Sequence, residues 1–202
     1  SPILFARDIG RRGMGYDLGD NERDNKMNYI VFDLEATCWE NERGNANEII
    51  EIGAVKLNDS LEQLGEFSKF VRPTVNPILS DFCKKLTTIT QKDVELADTF
   101  ENVIREFEDW IGEDAVLCSW GFYDRKQITS ECKLKSYSGN ICWMIERHIS
   151  IKHQFAEIKG CKPCGMSYAL AHLGLALEGT HHRGIDDAKN IANIVRIYLN
   201  EI

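Results

Sequence analysis

The succession of hydrophobic periods is what most constrains the fold of this chain. Three β-type runs come first, and helical and β-type runs then alternate. The run YIVFDLE within Asn28 to Glu35 is β-branched and aromatic, hence a strand. A polar loop with Gly44 follows, then strands at Ile49 to Leu57 and Glu66 to Val71 that can form an antiparallel meander. Pro73 and Pro77 end the third. Short helices are expected at Asp81 to Leu86 and Gln91 to Leu96, the latter N-capped by Thr90. Phe100, Val103, Ile104, Phe107, Trp110 and Ile111 mark an amphipathic helix over Thr99 to Ile111. Ala115 to Ser119 reads as a buried parallel strand, Tyr123 to Lys133 as a helix and His148 to Ile151 as a last short strand. Helices over Met166 to Leu173 and Ile185 to Asn200 complete the series. This order predicts a layered α/β or α+β domain.

Residues 1–26 lack any such period and predict a disordered tail or an added leader, with Met27 as the native start and 27–202 as the domain. Hydrophobic residues make up 43% of the 202, enough for a core, which excludes global disorder. No uncharged apolar run approaches the roughly 18 residues of a membrane span, so no membrane partner is expected. A net charge of −8 argues against coating duplex DNA by charge alone, though not against gripping one strand end through metal ions. Seven cysteines, an odd number without an export-signal pattern, predict buried thiols in a reducing, cytoplasmic setting. Cys161-Lys-Pro-Cys164 reads as a turn. Zinc there would need further ligands, such as His172, His181 or Cys83.

Three constellations carry possible chemistry. Asp33 and Glu35 are two apart on a strand, so they share a face at its C-terminal end. Two carboxylates held together repel unless a cation lies between them, and hard divalent ions take such oxygens. By itself, a solvated strand edge is the commoner reading. Asp124 ends Ser119-Trp120-Gly121-Phe122-Tyr123-Asp124 and opens a helix, so alone it reads as a cap. The aromatics beside it suit either a core or base stacking. In His181-His182-Arg183-Gly184-Ile185-Asp186-Asp187, either aspartate could cap the last helix. His182 precedes Asp187 by five residues, and an imidazole beside a carboxylate–metal site is a natural general base.

Together, in this order and on these elements, the three pieces resemble the DEDDh branch of the 3′–5′ exonucleases. FDLEATC (32–38), NEIIEIGAV (47–55), SWGFYD (119–124) and HRGIDDAKNIA (182–192) are similar to the subfamily that trims histone messenger RNA 3′ ends and small interfering RNAs, with bacterial relatives, some labelled sporulation-pathway inhibitors. The resemblance runs from about Asn28 to Leu199. It implies a ribonuclease H-like α/β fold with a mixed central sheet, antiparallel in its first three strands and then parallel, flanked by helices. No stretch resembles the extra nucleic-acid-binding domain of some animal members, so structured RNA is not an expected substrate.

Residue by residue, the resemblance implies Asp33, Glu35, Asp124 and Asp187 as ligands of two divalent ions, Mg²⁺ or Mn²⁺, and His182 as the base. His181 is its adjacent competitor, and Asp186 is left as a helix N-terminal residue. Ala36 and Thr37 would contact the terminal sugar through their backbone, with Trp39 and Phe122 stacking on the base. The implied reaction is two-metal hydrolysis from single-stranded 3′ ends, releasing nucleoside 5′-monophosphates. SWGFYD and Cys38-Trp39 favour RNA. The alternatives are a DNA-directed, proofreading-like enzyme of the same fold and a non-catalytic regulatory module. The intact set of acids argues against the module.

Overall fold

The computed structural model describes residues 27–41 and 46–200, with side chains of the last helix as far as Ile197. The expectation for residues 1–26 lies outside them. Among the described residues six strands form one sheet: β1 (Asn28–Ala36), β2 (Ile49–Leu57), β3 (Gln63–Arg72), β4 (Asp98–Thr99), β5 (Ala115–Ser119) and β6 (Ile149–Ser150), in the order β4-β3-β2-β1-β5-β6. The expected meander is present, since β1 and β3 both run antiparallel to β2. β5 lies parallel to β1 and β6 parallel to β5.

The helices are α1 (Asp81–Thr87), α2 (Gln91–Glu95), α3 (Phe100–Ile111), α4 (Tyr123–Leu134), α5 (Ile141–Met144), α6 (Ile151–Lys159), α7 (Met166–His172) and α8 (Gly184–Asn200), with a 3₁₀ turn at Ile145–Arg147. β1 shows how the chain builds two cores from one strand. Ile30, Phe32 and Leu34 join Phe100, Phe107 and Ile128 on one face, whereas Tyr29 and Val31 join Phe155, Ala188 and Ile191 on the other. The odd-numbered row therefore faces α8, and its continuation is Asp33 and Glu35. Of the apolar face expected on α8, Ala188, Ile191, Ala192 and Val195 are buried. Tyr198 and Leu199 fall outside the described side chains.

Several expectations need correction. The last strand contracts to Ile149–Ser150, because Ile151 opens α6 instead. α6 was not expected: Lys152, His153, Gln154, Glu157 and Lys159 dilute its stripe of Ile151, Phe155 and Ala156. Neither α5 nor the two-residue β4 was foreseen, and β3 begins three residues before the expected Glu66. Cys161 and Cys164 lie in the turn after α6 as free thiols, and Trp120 Nε1 donates to the Cys164 carbonyl at 3.0 Å. Neither cysteine belongs to a cluster able to hold an ion among the described residues.

One contact positions the last helix. A Cβ on Gly53 of β2 would lie 2.1 Å from the Gly184 backbone carbon, and one on Gly184 would lie 3.1 Å from the Asp33 carbonyl oxygen. Only two glycines let the start of α8 rest directly on the β1–β2 ladder.

Candidate active site

β1 pairs with β5 only along its first half, Asn28 to Val31, so the second half projects past β5. There Asp33 and Glu35 meet Asp187 from the first turn of α8, with ligand oxygens of all three within 4.8 Å of one another. Asp124, almost wholly buried, arrives from α4. Its Oδ1 accepts the amide N–H of Leu34, the residue between the other two acids, at 3.1 Å. The capping reading of Asp124 fails: α4 begins at Tyr123, its N-cap Phe122 makes no side-chain cap bond, and the carboxylate is committed to β1. Both caps proposed for α8 fail as well. That helix starts at Gly184, so Asp186 lies in its first turn, as expected of a helix N-terminal residue, and accepts the Thr180 amide at 2.8 Å.

Burial and mutual repulsion dominate the electrostatics. Burial, then Asp124, Glu35, Asp187 and Glu51, raises the Asp33 carboxyl well above its usual range. Burial, then Asp187, Glu51 and Asp124, pushes Glu35 up to about 8. Burial also lifts Asp124 to about 6, against hydrogen bonds from the Ser119 hydroxyl and the Leu34 amide. Carboxyls that resist ionising together in a shared pocket form a site that a cation completes. The donor set is all oxygen, which fits a hard divalent ion.

The two histidines divide around Asp187. His181 Nδ1 lies 3.0 Å from both carboxylate oxygens, whereas His182 contributes its amide, which donates to Oδ2 at 2.9 Å. The two rings stack at 4.0 Å, and both can reach a common ion with Asp187. His182 has φ +64, a left-handed conformation that histidine tolerates better than most residues. Burial, then His181, lowers its pKa against the pull of Asp187, so the ring is neutral near pH 7.

Two supporting carboxylates escaped the sequence reading. Glu51 is the cross-strand partner of Glu35 and is 1% exposed. It accepts the Arg183 guanidinium at 3.2 and 3.1 Å and the Gly184 amide at 2.9 Å, tying the histidine loop to the sheet. Glu48 gathers the amides of Thr74, Val75 and Asn76 and the Lys135 ammonium. Their signal was present in NEIIEIGAV, where one acid directly precedes a buried strand and another interrupts it, but their partners were unreadable.

The residues expected at the sugar and base are distributed as follows. Thr37 donates its amide to the Glu48 carbonyl at 2.8 Å and accepts the Glu48 amide on Oγ1 at 2.9 Å. The Ala36 carbonyl receives the Cys83 thiol at 3.7 Å. These groups fix the loop after Glu35. Trp39 is half-buried on that loop, and Phe122 is exposed. Phe122 lines a groove of about 400 Å³ with Arg125, Lys126, Thr129 and Ser130. Neither cation makes an ion pair among the described residues.

Comparison with known proteins places this geometry. A family model described as Exonuclease (RNase T) matches residues 30–195. Human 3′-5′ exoribonuclease 1 is 34% identical over 190 residues, covering 86% of this chain and 53% of that protein. The Drosophila melanogaster 3′-5′ exonuclease Snipper is 30% identical, covering 82% of this chain and 67% of its own length. The nuclease domain of 3′hExo, described as a DEDDh family member bound to rAMP, superposes with a TM-score of 0.80 at 32% identity, over 91% of this chain and 95% of that one. The chain spans only 27%, 29% and 33% of the ERI1 exoribonuclease 2 proteins of Xenopus laevis, Homo sapiens and Danio rerio.

Proposed function

Since this chain belongs to the exonuclease family whose model covers residues 30–195, we propose that it is a metal-dependent 3′–5′ exoribonuclease acting on single-stranded ends. The observation that carries this reading is the convergence of four carboxylates from three separate elements into one cluster. Asp33, Glu35, Asp124 and Asp187 would hold two divalent ions, Mg²⁺ or Mn²⁺. Ions held there would supply activation of the attacking water and stabilisation of charge on the leaving 3′-oxygen. His182, held neutral, takes the proton from the water; His181, on the Asp187 carboxylate, is the competing base. The product is a nucleoside 5′-monophosphate.

An exposed aromatic with two cations beside it suits a single strand, because bases stack while phosphates meet positive charge. The end of β1 at Ala36 and the loop of Thr37 and Trp39 face the terminal nucleotide in this reading. Seven free thiols support a reducing compartment such as the cytoplasm. No described helix is long and apolar enough to cross a membrane.

The test is incubation with 5′-labelled single-stranded RNA and DNA of one sequence, with Mg²⁺ or Mn²⁺ and with chelator. The expected result is a ladder shortening from the 3′ end, faster on RNA and absent with chelator. Faster digestion of DNA supports the proofreading-like alternative, and digestion of neither supports the non-catalytic module.

A further inference from the structure

β5 ends at Ser119, whose side chain is fully buried. The parallel pairing of β5 with β6, Cys118 to Ile149 and Ser119 to Ser150, brings His148 alongside that end. His148 Nε2 lies 2.8 Å from Ser119 Oγ. Ser119 in turn bonds through its side chain to Asp124, and Asp124 accepts the Leu34 amide. These contacts form a continuous chain from a buried imidazole to β1, between Asp33 and Glu35.

The proton count fixes its direction. A serine hydroxyl carries one proton, and an ionised carboxylate can only accept. With Asp124 ionised, Ser119 donates to it. Its oxygen must then accept from His148, so the proton of the neutral ring is on Nε2. The other nitrogen agrees: Nδ1 is buried and has no hydrogen-bond partner, as suits a bare lone pair better than an N–H. Phe32 meets the ring edge-on at 6.0 Å and Phe122 packs against it at 6.1 Å, which restricts the imidazole to this orientation. Burial, then the nearby Arg125 charge, holds its pKa down at about 4, so the ring is neutral under working conditions.

We infer that His148 is a positioning residue: as the Nε2–H tautomer it fixes the Ser119 hydroxyl, and Ser119 aims the Asp124 carboxylate at the cation. The inference rests on the metal-dependent reading above. Acceptor positions on Asp124 are taken by the Leu34 amide, the Ser119 hydroxyl and its own amide, and what remains of the carboxylate is left for the ion. Hydrogen-bonding partners of this kind set ligand orientation as firmly as the ligands set the ion.

The test combines three variants with two readouts that need no turnover. His148→Phe removes the donor while keeping a ring, His148→Gln returns an N–H, and Ser119→Ala removes the link. In the metal-free protein, ¹⁵N NMR of the His148 ring is expected to show Nε2 protonated and Nδ1 bare. Calorimetric titration with Mn²⁺ is expected to show about 10- to 100-fold weaker binding for His148→Phe and for Ser119→Ala. The double variant should be no worse than either single one, and His148→Gln should bind near the parent value. An Nδ1–H tautomer, or parent-like Mn²⁺ affinity in His148→Phe, overturns the inference. Equal losses in His148→Gln and His148→Phe overturn it too, because the ring would then matter only for packing. Should the variants not fold, the parent spectrum still decides the tautomer. A parent that binds no Mn²⁺ overturns the metal reading instead, a different failure from unchanged variants.

Discussion

At the scale of single residues, the roles around Asp187 separate by experiment. Asp187→Asn replaces an anionic ligand with a neutral amide, so Mn²⁺ titration should show weakened binding. His182→Ala should leave metal binding intact and lower single-turnover rate by about 10²–10⁴, the usual weight of a general base. Near-normal turnover in that variant, with a large loss in His181→Ala, would transfer the role to the ring now seated on Asp187. Sequence spacing selected His182, but spacing says nothing about which of two adjacent rings turns inward. Here one residue presents its ring and the next its amide, a division made by the left-handed backbone at His182.

Elements meet at few places as tightly as at Gly53 and Gly184. Gly53→Ala puts a methyl group into backbone that cannot rotate aside. The cost should exceed the roughly 1–3 kcal/mol of ordinary overpacking, and α8 should shift with Asp187 upon it. A denaturant midpoint and Mn²⁺ affinity both equal to the parent's would contradict this. Element scale also shows what the sequence made legible. The pairing of Asp33 with Glu35 was readable, because strand period 2 is a local property, and their carboxylates do converge. The helix over Phe100–Ile111 was readable for the same reason, since its apolar stripe is dense. α6 was not, with five polar residues in nine and a stripe that makes sense only against β5 and α8. Taken alone, Asp124 reads as a cap, because its partner, the Leu34 amide, is 90 residues away; only the wider resemblance placed it among the ligands. Glu51 was passed over for the same kind of reason: its partner Arg183 is 132 residues distant, and no local rule anticipates that fork.

For the molecule as a whole, the clustered acids are a destabilising charge held in place by the rest of the fold. Glu35, raised to about 8 in the folded protein, disfavours folding progressively as pH rises from its unfolded pKa near 4.5 through 8. Asp33 acts in the same direction, and buried Glu131, raised by burial to about 7, adds to it. His148 acts oppositely, with its contribution intact above 6.5 and lost as pH falls toward 4. Above pH 6.5, therefore, the carboxyls decide the sign. Without divalent ion, Tm should fall between pH 6.5 and 8.5, and Mn²⁺ should remove most of that slope, because it binds the ionised, folded form. A metal-free Tm that climbs over this interval would contradict the assignment. The sheet has a further consequence, for behaviour in solution. Both outer strands, Asp98–Thr99 and Ile149–Ser150, are only two residues long, so β3 has no strand partner along Gln63–Phe70 on its outer side among the described residues. The edge it offers a neighbouring copy carries the charges of Glu66 and Lys69, which favours a chain that stays dispersed at high concentration rather than growing edge to edge.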